Sequence, residues 1–352
     1  MKLIYDFDLP ALTELFQSWD EPAYRAKQTW EGLYRHFWNA PEEFTSLSKP
    51  LREKLAANLQ FAPLSPISQM ASSDKQTIKT LFRLHDGQVI ETVLMRYGTR
   101  NTQNATRSRN TLCISTQAGC AMGCVFCATG QMGFKRHLSS GEIVAQALHY
   151  ARLLHEQNER VTNIVLMGMG EPFHNYDNTM AAIDRLNDES GFNFGARRFT
   201  LSTVGLVPFI RRFADETRQV NLAVSLHAAD DETRGAMMPV NKRYPIAEVI
   251  EACKYYVHKT GRRITFEWAL IHGVNDTPET ARKLAVLLKG ILCHVNAIPL
   301  NPTTGYEGKA TDRQRAQIFK ETLEQAGVPC TIRMRRGIDI AAGCGQLAGS
   351  TS

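Results

Sequence analysis

Residues 119–130 read GCAMGCVFCATG and place Cys120, Cys124 and Cys127 at C-x3-C-x2-C spacing, directly after an apolar run, TLCISTQ (111–117). A loop this short can wrap three thiolates around one metal centre. Zinc and iron–sulfur sites ordinarily take four protein ligands, so three close ligands leave one coordination position open for a substrate or cofactor. Cys113, within the apolar run, offers a closed alternative: a four-cysteine structural site.

Outward from this loop the pattern is alternating. Strand-like runs are TLCISTQ (111–117), NIVLMG (163–168), RFTLST (198–203), VNLAVSL (220–226), ITFEWALI (264–271), HVNAIPL (294–300) and CTIRMR (330–335). Helical patterns separate them, giving six βα units and one further strand, which implies parallel strands covered by helices. The fold class is therefore α/β. A barrel would carry its site at the C-terminal ends of the strands, but a doubly wound sheet would write a similar string. Upstream, residues 1–80 read as a mainly helical unit, from LPALTELFQSW, YRAKQTWEGLYRHFW and SLSKPLREKLAANL. Residues 81–110 follow as a strand pair, IKTLFRL and VIETVLMRY, and a basic loop. The core spans 111–336, and a tail spans 337–352.

The composition is globular, with 43% hydrophobic and 22% charged residues among 352. No uncharged apolar stretch is long enough to cross a membrane, and Asp6 and Asp8 interrupt the start, so a cytoplasmic protein with no membrane partner is expected. Net charge is +6, from 41 basic and 35 acidic residues. Residues 92–141 hold no acid and six bases, Arg96, Arg100, Arg107, Arg109, Lys135 and Arg136, so the entire excess lies there. A local field of that sign attracts a polyanion such as RNA, although a solvated loop would read the same.

Polar and glycine-rich residues end the strands: Gly168–Pro172 (GMGEP) with Gly170 and Glu171, then Ser202, then Ser225, Leu226 and His227, and finally Asn301. Near the C-terminus, RGIDIAAGCGQLAG sets Cys344 between two glycines.

The cysteine spacing, with an aromatic before the last cysteine, resembles the radical S-adenosylmethionine (SAM) enzymes. Together with GMGEP, Cys113 and the Cys344 segment, it resembles the RlmN/Cfr family of RNA methyltransferases. The match runs from about Tyr24 to Gly349. The resemblance implies a partial (βα)6 barrel with a small helical N-terminal domain that binds RNA and a β-hairpin extension. It implies a [4Fe-4S] cluster on Cys120, Cys124 and Cys127, and SAM contacts from Gly170, Glu171, Ser202, Ser225, Leu226, His227 and Asn301. It further implies two SAM molecules per turnover. One methylates Cys344; the other, on the cluster, yields the 5′-deoxyadenosyl radical that takes hydrogen from the S-methyl group. The resulting carbon radical adds to adenine, giving a covalent RNA–enzyme intermediate that a transient Cys113–Cys344 disulfide releases. Glu91 matches the family's proposed proton acceptor, a role that Cys113 can also fill.

RlmN-type members methylate C2 of adenosine 2503 in 23S rRNA and of adenosine 37 in some tRNAs, whereas Cfr-type members methylate C8 of the same rRNA adenosine. The ending GCGQLAG and the preceding RRGIDI are closer to RlmN, although Gly343 departs from the common Ala-Ala-Cys pattern. The implied partners are 23S rRNA, tRNA and an electron donor such as flavodoxin or ferredoxin, acting on a monomer. The competing reading is a non-catalytic zinc-stabilised RNA-binding protein. Cys253, Cys293 and Cys330 are expected to pack in the core.

Overall fold

The computed structural model describes residues 1–98 and 109–349. Its centre is a ten-stranded sheet. Four strands are β1 (Ser65–Ala71), β2 (Thr77–Arg83), β3 (Val89–Tyr97) and β4 (Arg109–Cys113). They are followed by β5 (Asn163–Leu166), β6 (Phe199–Thr203), β7 (Asn221–Ser225), β8 (Ile264–Leu270), β9 (Cys293–Pro299) and β10 (Cys330–Ile332). The strands lie side by side in chain order, from β1 at one edge to β10 at the other. From β4 to β10 every pairing is parallel. A doubly wound sheet reverses its strand order at a switch point. This one never does, so it is the open, one-directional winding of a partial barrel.

The expected β-hairpin extension is larger than a hairpin. Strands β1, β2 and β3 form an antiparallel meander that continues the barrel sheet through β4. Strand β1 falls inside the stretch read as helical, because SPISQMA is an edge strand exposed along most of its length and shows no alternation. Its Pro66 is tolerated because an edge strand does not need every N–H.

The helical unit comprises α1 (Leu9–Gln17), α2 (Ala23–Tyr34) and α3 (Lys49–Asn58) around buried Leu12, Phe16, Trp30 and Leu55. It shares one continuous core with the barrel. The joint is at the first barrel helix, α4 (Ser140–His155), where Asp6 Oδ1 accepts from Gly141 N (2.7 Å) and Ser140 Oγ (3.2 Å). A carboxylate there satisfies amides that the helix itself cannot pair.

The remaining barrel helices are α5 (Tyr176–Asn187), α6 (Val207–Asp215), α7 (Asp231–Met237), α8 (Ile246–Thr260), α9 (Pro278–Leu288) and α10 (Arg313–Gln325). Helix α7 is an addition to the expected pattern. Its start signal was present, since Asp230 caps it by accepting from Thr233 N at 2.8 Å. Helix α7 carries Arg234, whose fully buried guanidinium donates to Leu226 O, Val204 O, Tyr244 O and Asn241 Oδ1. It thereby ties the ends of β6 and β7 together. Burial lowers its pKa to about 10, which still leaves it charged at neutral pH. Among the described residues, no helix is long and apolar enough to cross a membrane.

Replacing Arg234 with Met strands four acceptors without opening a large void. The unfolding free energy should fall by roughly 3–5 kcal/mol, seen as a lower urea midpoint at unchanged slope.

Candidate active site

A cavity of about 900 Å³, including its open mouth, lies at the C-terminal ends of β5 to β9. Its wall includes Cys124, Cys127, Gly170, Glu171, Ser202, Ser225, His227, Asn301 and Cys344. Residues from eight separate chain segments meet here, most of them because parallel strands end on the same side of the sheet.

The three loop cysteines influence one another. Burial raises the Cys120 thiol to about 12, with Cys127 among the further causes, and burial next to Cys127 and Cys120 raises Cys124 well above its usual value. Among the described residues no three His, Cys, Asp or Glu side chains are gathered tightly enough to hold one metal ion. A cube-shaped cluster spreads its cysteines over different irons, so wider spacing suits it. Cys113 ends β4, and its thiol is also raised by burial, then by Cys344, with Arg333 opposing. Cys113 thus stands with Cys344 rather than with the loop, which counts against the closed four-cysteine site.

Cys344 is solvent-accessible through the cavity yet closely surrounded by protein. Its thiol is raised by desolvation, lowered by Arg333, and raised again by Glu267 and Cys127. The tail that carries it is tightly held. Ala128 N donates to Gly345 O (2.7 Å), Thr129 Oγ1 to Leu347 O (2.6 Å) and Asn301 Nδ2 to Cys344 O (3.0 Å). Gly343 has a steric reason, since a Cβ there would sit 2.6 Å from Asn301 Nδ2.

Glu171 is buried, and desolvation raises its carboxyl to about 7. Its oxygens accept from Phe173 N (3.0 Å) and Val204 N (2.9 Å). Gly170 has φ +101°, and a Cβ there would sit 2.5 Å from Gln117 Cβ. The glycine is therefore required by packing of the turn onto the segment after β4, and not only by approach to a ligand. His227 is held at φ +60°, a strained conformation for a non-glycine residue. Burial lowers its pKa to about 3, and Nδ1 accepts from Ala269 N (2.9 Å), so the neutral ring carries its proton on Nε2.

Two expected residues lie apart from the cavity. Leu226 is fully buried in the core; its N–H donates to Glu267 O, and its carbonyl accepts from Arg234 Nε. Glu91 is fully buried in the sheet, 2.8 Å from Lys79 Nζ, and its Oε2 accepts from Ala348 N (2.8 Å) and Gly349 N (3.1 Å). It is neither an exposed strand carboxylate nor part of the cavity wall.

The basic window is partly neutralised by acids from elsewhere in the chain. Arg136 pairs with Glu142 and Asp86, and Arg96 with Glu159 and Gln157. Lys135 is exposed, and Arg109 lies over the Tyr97 ring at 5.3 Å. Arg100 and Arg107 lie outside the described residues. The fold adds what spacing concealed: Arg336 stacks on the same Tyr97 at 4.4 Å and donates to Arg96 O.

Two cavity-side residues escaped sequence reasoning. Glu267 lines the wall, with its carboxyl raised to about 7 by burial and steadied by Arg333 and by Asn296 Nδ2 at 2.7 Å. Arg333 acts on Glu267 and on both thiols. The available signal for Glu267 was one acid inside an otherwise apolar strand, ITFEWALI, where burial of a carboxylate is costly.

Comparison with known proteins agrees with this arrangement. Residues 114–285 match the Radical SAM superfamily, and residues 3–60 match the ribosomal RNA large subunit methyltransferase N-terminal domain. Dual-specificity RNA methyltransferase RlmN 1 of Myxococcus xanthus is 51% identical, covering 98% of this chain and 93% of that protein. The chain belongs to the RlmN family of radical SAM RNA methyltransferases. A probable RlmN from Chloroflexus aurantiacus is 48% identical over 100% of this chain and 94% of its own length. The crystal structure of a radical SAM methyltransferase from Sphaerobacter thermophilus superposes with a TM-score of 0.95 at 49% identity, covering 99% of this chain and 100% of that one. Membership of the family brings a [4Fe-4S] cluster and SAM with it. The cavity fits that pair: two of the three loop cysteines line it, and Asn301 Oδ1 is a buried acceptor without a protein partner there. A ligand ammonium or hydroxyl would satisfy such an acceptor.

Glu267 binds its proton more tightly folded than unfolded, so its contribution to stability is present below the usual carboxyl pKa of 4.5 and is lost as pH rises towards about 7. Wild-type unfolding free energy should fall over that range. Glu267→Gln should flatten the fall by up to about 1.4 kcal/mol per pH unit, as measured by urea melts at pH 5, 6 and 7.

Proposed function

We propose that this RNA methyltransferase transfers a methyl group to C2 of an adenosine in 23S rRNA and of an adenosine in tRNA, with Cys344 as the covalent carrier. The observation that supports this reading is the placement of Cys344 in the wall that Cys124 and Cys127 also form, within electrostatic reach of Cys113.

Cys120, Cys124 and Cys127 are the residues that would hold the cluster, and Gly170, Glu171, Ser202, Ser225, His227 and Asn301 those that would hold SAM. When bound, the pair supplies a methyl cation equivalent and, with an electron from a donor such as flavodoxin or ferredoxin, a hydrogen-abstracting carbon radical. The chain's residues do the rest. Cys344 loses its proton and takes the methyl group through sulfur, and after hydrogen loss its methylene carbon bonds to the adenine ring. The ring proton leaves to a base and one electron would return to the bound cluster that supplied it, which restores the aromatic base, still joined to Cys344. Cys113 sulfur then attacks Cys344 sulfur; the S–C bond breaks, its electrons pass to the carbon, and that carbon takes a proton as the methyl product. The Cys113–Cys344 disulfide left behind is reduced by an external dithiol before the next turnover.

Arg333 assists by opposing the burial that keeps both thiols protonated. The arginines around Tyr97 offer phosphate contacts at the edge where β4 begins.

In an anaerobic reaction, nuclease digestion followed by mass spectrometry should find 2-methyladenosine. A product that is 8-methyladenosine alone would place the enzyme with Cfr-type chemistry. Cys344→Ala should lower methylation at least roughly 10³-fold, while Cys113→Ala should accumulate protein covalently joined to RNA, visible as a slow band on a denaturing gel.

A further inference from the structure

Lys79 and Glu91 sit on one face of the antiparallel meander. Register pairs Lys79 with Val93 and Glu91 with Leu81, so the two side chains are diagonal neighbours across β2 and β3. Both are buried, and Nζ lies 2.8 Å from Oε1. Neither side chain is spent on the other alone. Lys79 Nζ donates to Ala341 O at 3.3 Å, and Glu91 Oε2 accepts from both Ala348 N and Gly349 N. The pair therefore grips the chain three residues before Cys344 and again four and five residues after it.

We infer that the Lys79–Glu91 pair is a latch that seats the C-terminal segment 341–349 and so positions the Cys344 sulfur at the cavity. The inference rests on the reading of Cys344 as the methyl carrier. It gives Glu91 a task different from proton acceptance, because Oε2 holds the tail, Oε1 faces the Lys79 ammonium, and the residue is not part of the cavity wall. It also gives a task to Lys79, which proton acceptance by Glu91 does not require.

The geometry explains why charge is used. A buried carboxylate facing two consecutive N–H groups makes strong, directional hydrogen bonds. The lysine beside it offsets the cost of burying that charge, and breaking the pair from one side would leave the other charge unpaired. The contacts of Ala128, Thr129 and Asn301 hold the middle of the segment, but they fasten it to the cysteine loop and to the turn after β9. Only the latch among these fastens it to the meander.

The two roles for Glu91 separate experimentally before RNA is added. Two variants of the full-length, cluster-loaded protein serve as tests. The double change Lys79→Met with Glu91→Gln removes both charges together, and Ala348→Pro deletes one gripped N–H in the tail and leaves the sheet untouched. Two readouts apply: hydrogen exchange at the amides of 341–349, and the rate at which the Cys344 peptide gains a methyl group from SAM without RNA. The latch predicts amide exchange faster by about tenfold or more in both variants, with Cys344 methylation slowed by a similar factor and exchange in β7 to β9 unchanged. Wild-type methylation of Cys344 in both variants, with failure confined to the RNA step, would overturn the latch and return Glu91 to proton chemistry. A wild-type protein whose Cys344 never gains the methyl group overturns the carrier reading instead. The tail's exchange rates alone then decide the latch.

Discussion

The 2.7 Å hydrogen bond from Ala128 N to Gly345 O joins the cysteine loop to the C-terminal tail. It exists because Ala128–Gln131 forms one helical turn immediately after Cys127, and the first amides of any helix lack intrahelical partners. Tail atoms fill that deficit, and Thr129 Oγ1 repeats the pattern by donating to Leu347 O. The loop that carries the three clustered cysteines is thus completed by the segment that presents Cys344. Neither can be placed without the other, although more than two hundred residues separate them in the chain.

A second constraint is burial. Desolvation disfavours the charged forms of several groups near the cavity: it lifts Glu171 and Glu267 to about 7, lowers His227 to about 3, and raises the Cys113 and Cys344 thiols. Chemistry that begins with a thiolate works against this trend. Arg333 is the counterweight, because one guanidinium acts on Cys113, Cys344 and Glu267 together. The site keeps a low dielectric, which strengthens each directed contact to a bound ligand, and Arg333 offsets part of its effect on the two thiols.

Local features were readable where periodicity or spacing carried them. Six helices between parallel strands followed from patterns of 3.6 and from apolar runs, and the cysteine loop followed from its spacing. The edge strand Ser65–Ala71 was hidden because both of its faces are largely exposed, leaving no alternation to detect. The resemblance placed Leu226 with the SAM contacts; it follows β7 directly, and its side chain enters the core. The basic window counted charge along the chain, whereas Arg136 meets Glu142 and Asp86 in space.

The sequence by itself determined the α/β class, the three clustered thiols and the isolated thiol near the end, because each depends on residue type at short spacing. Only the tertiary structure decided that β4 to β10 wind in one direction, that Cys113 comes within electrostatic reach of Cys344, and that Glu91 faces the tail and not the cavity. Those facts depend on which strand ends share a side of the sheet. That is set by the packing of the whole core, a sum over long-range contacts that no local window contains.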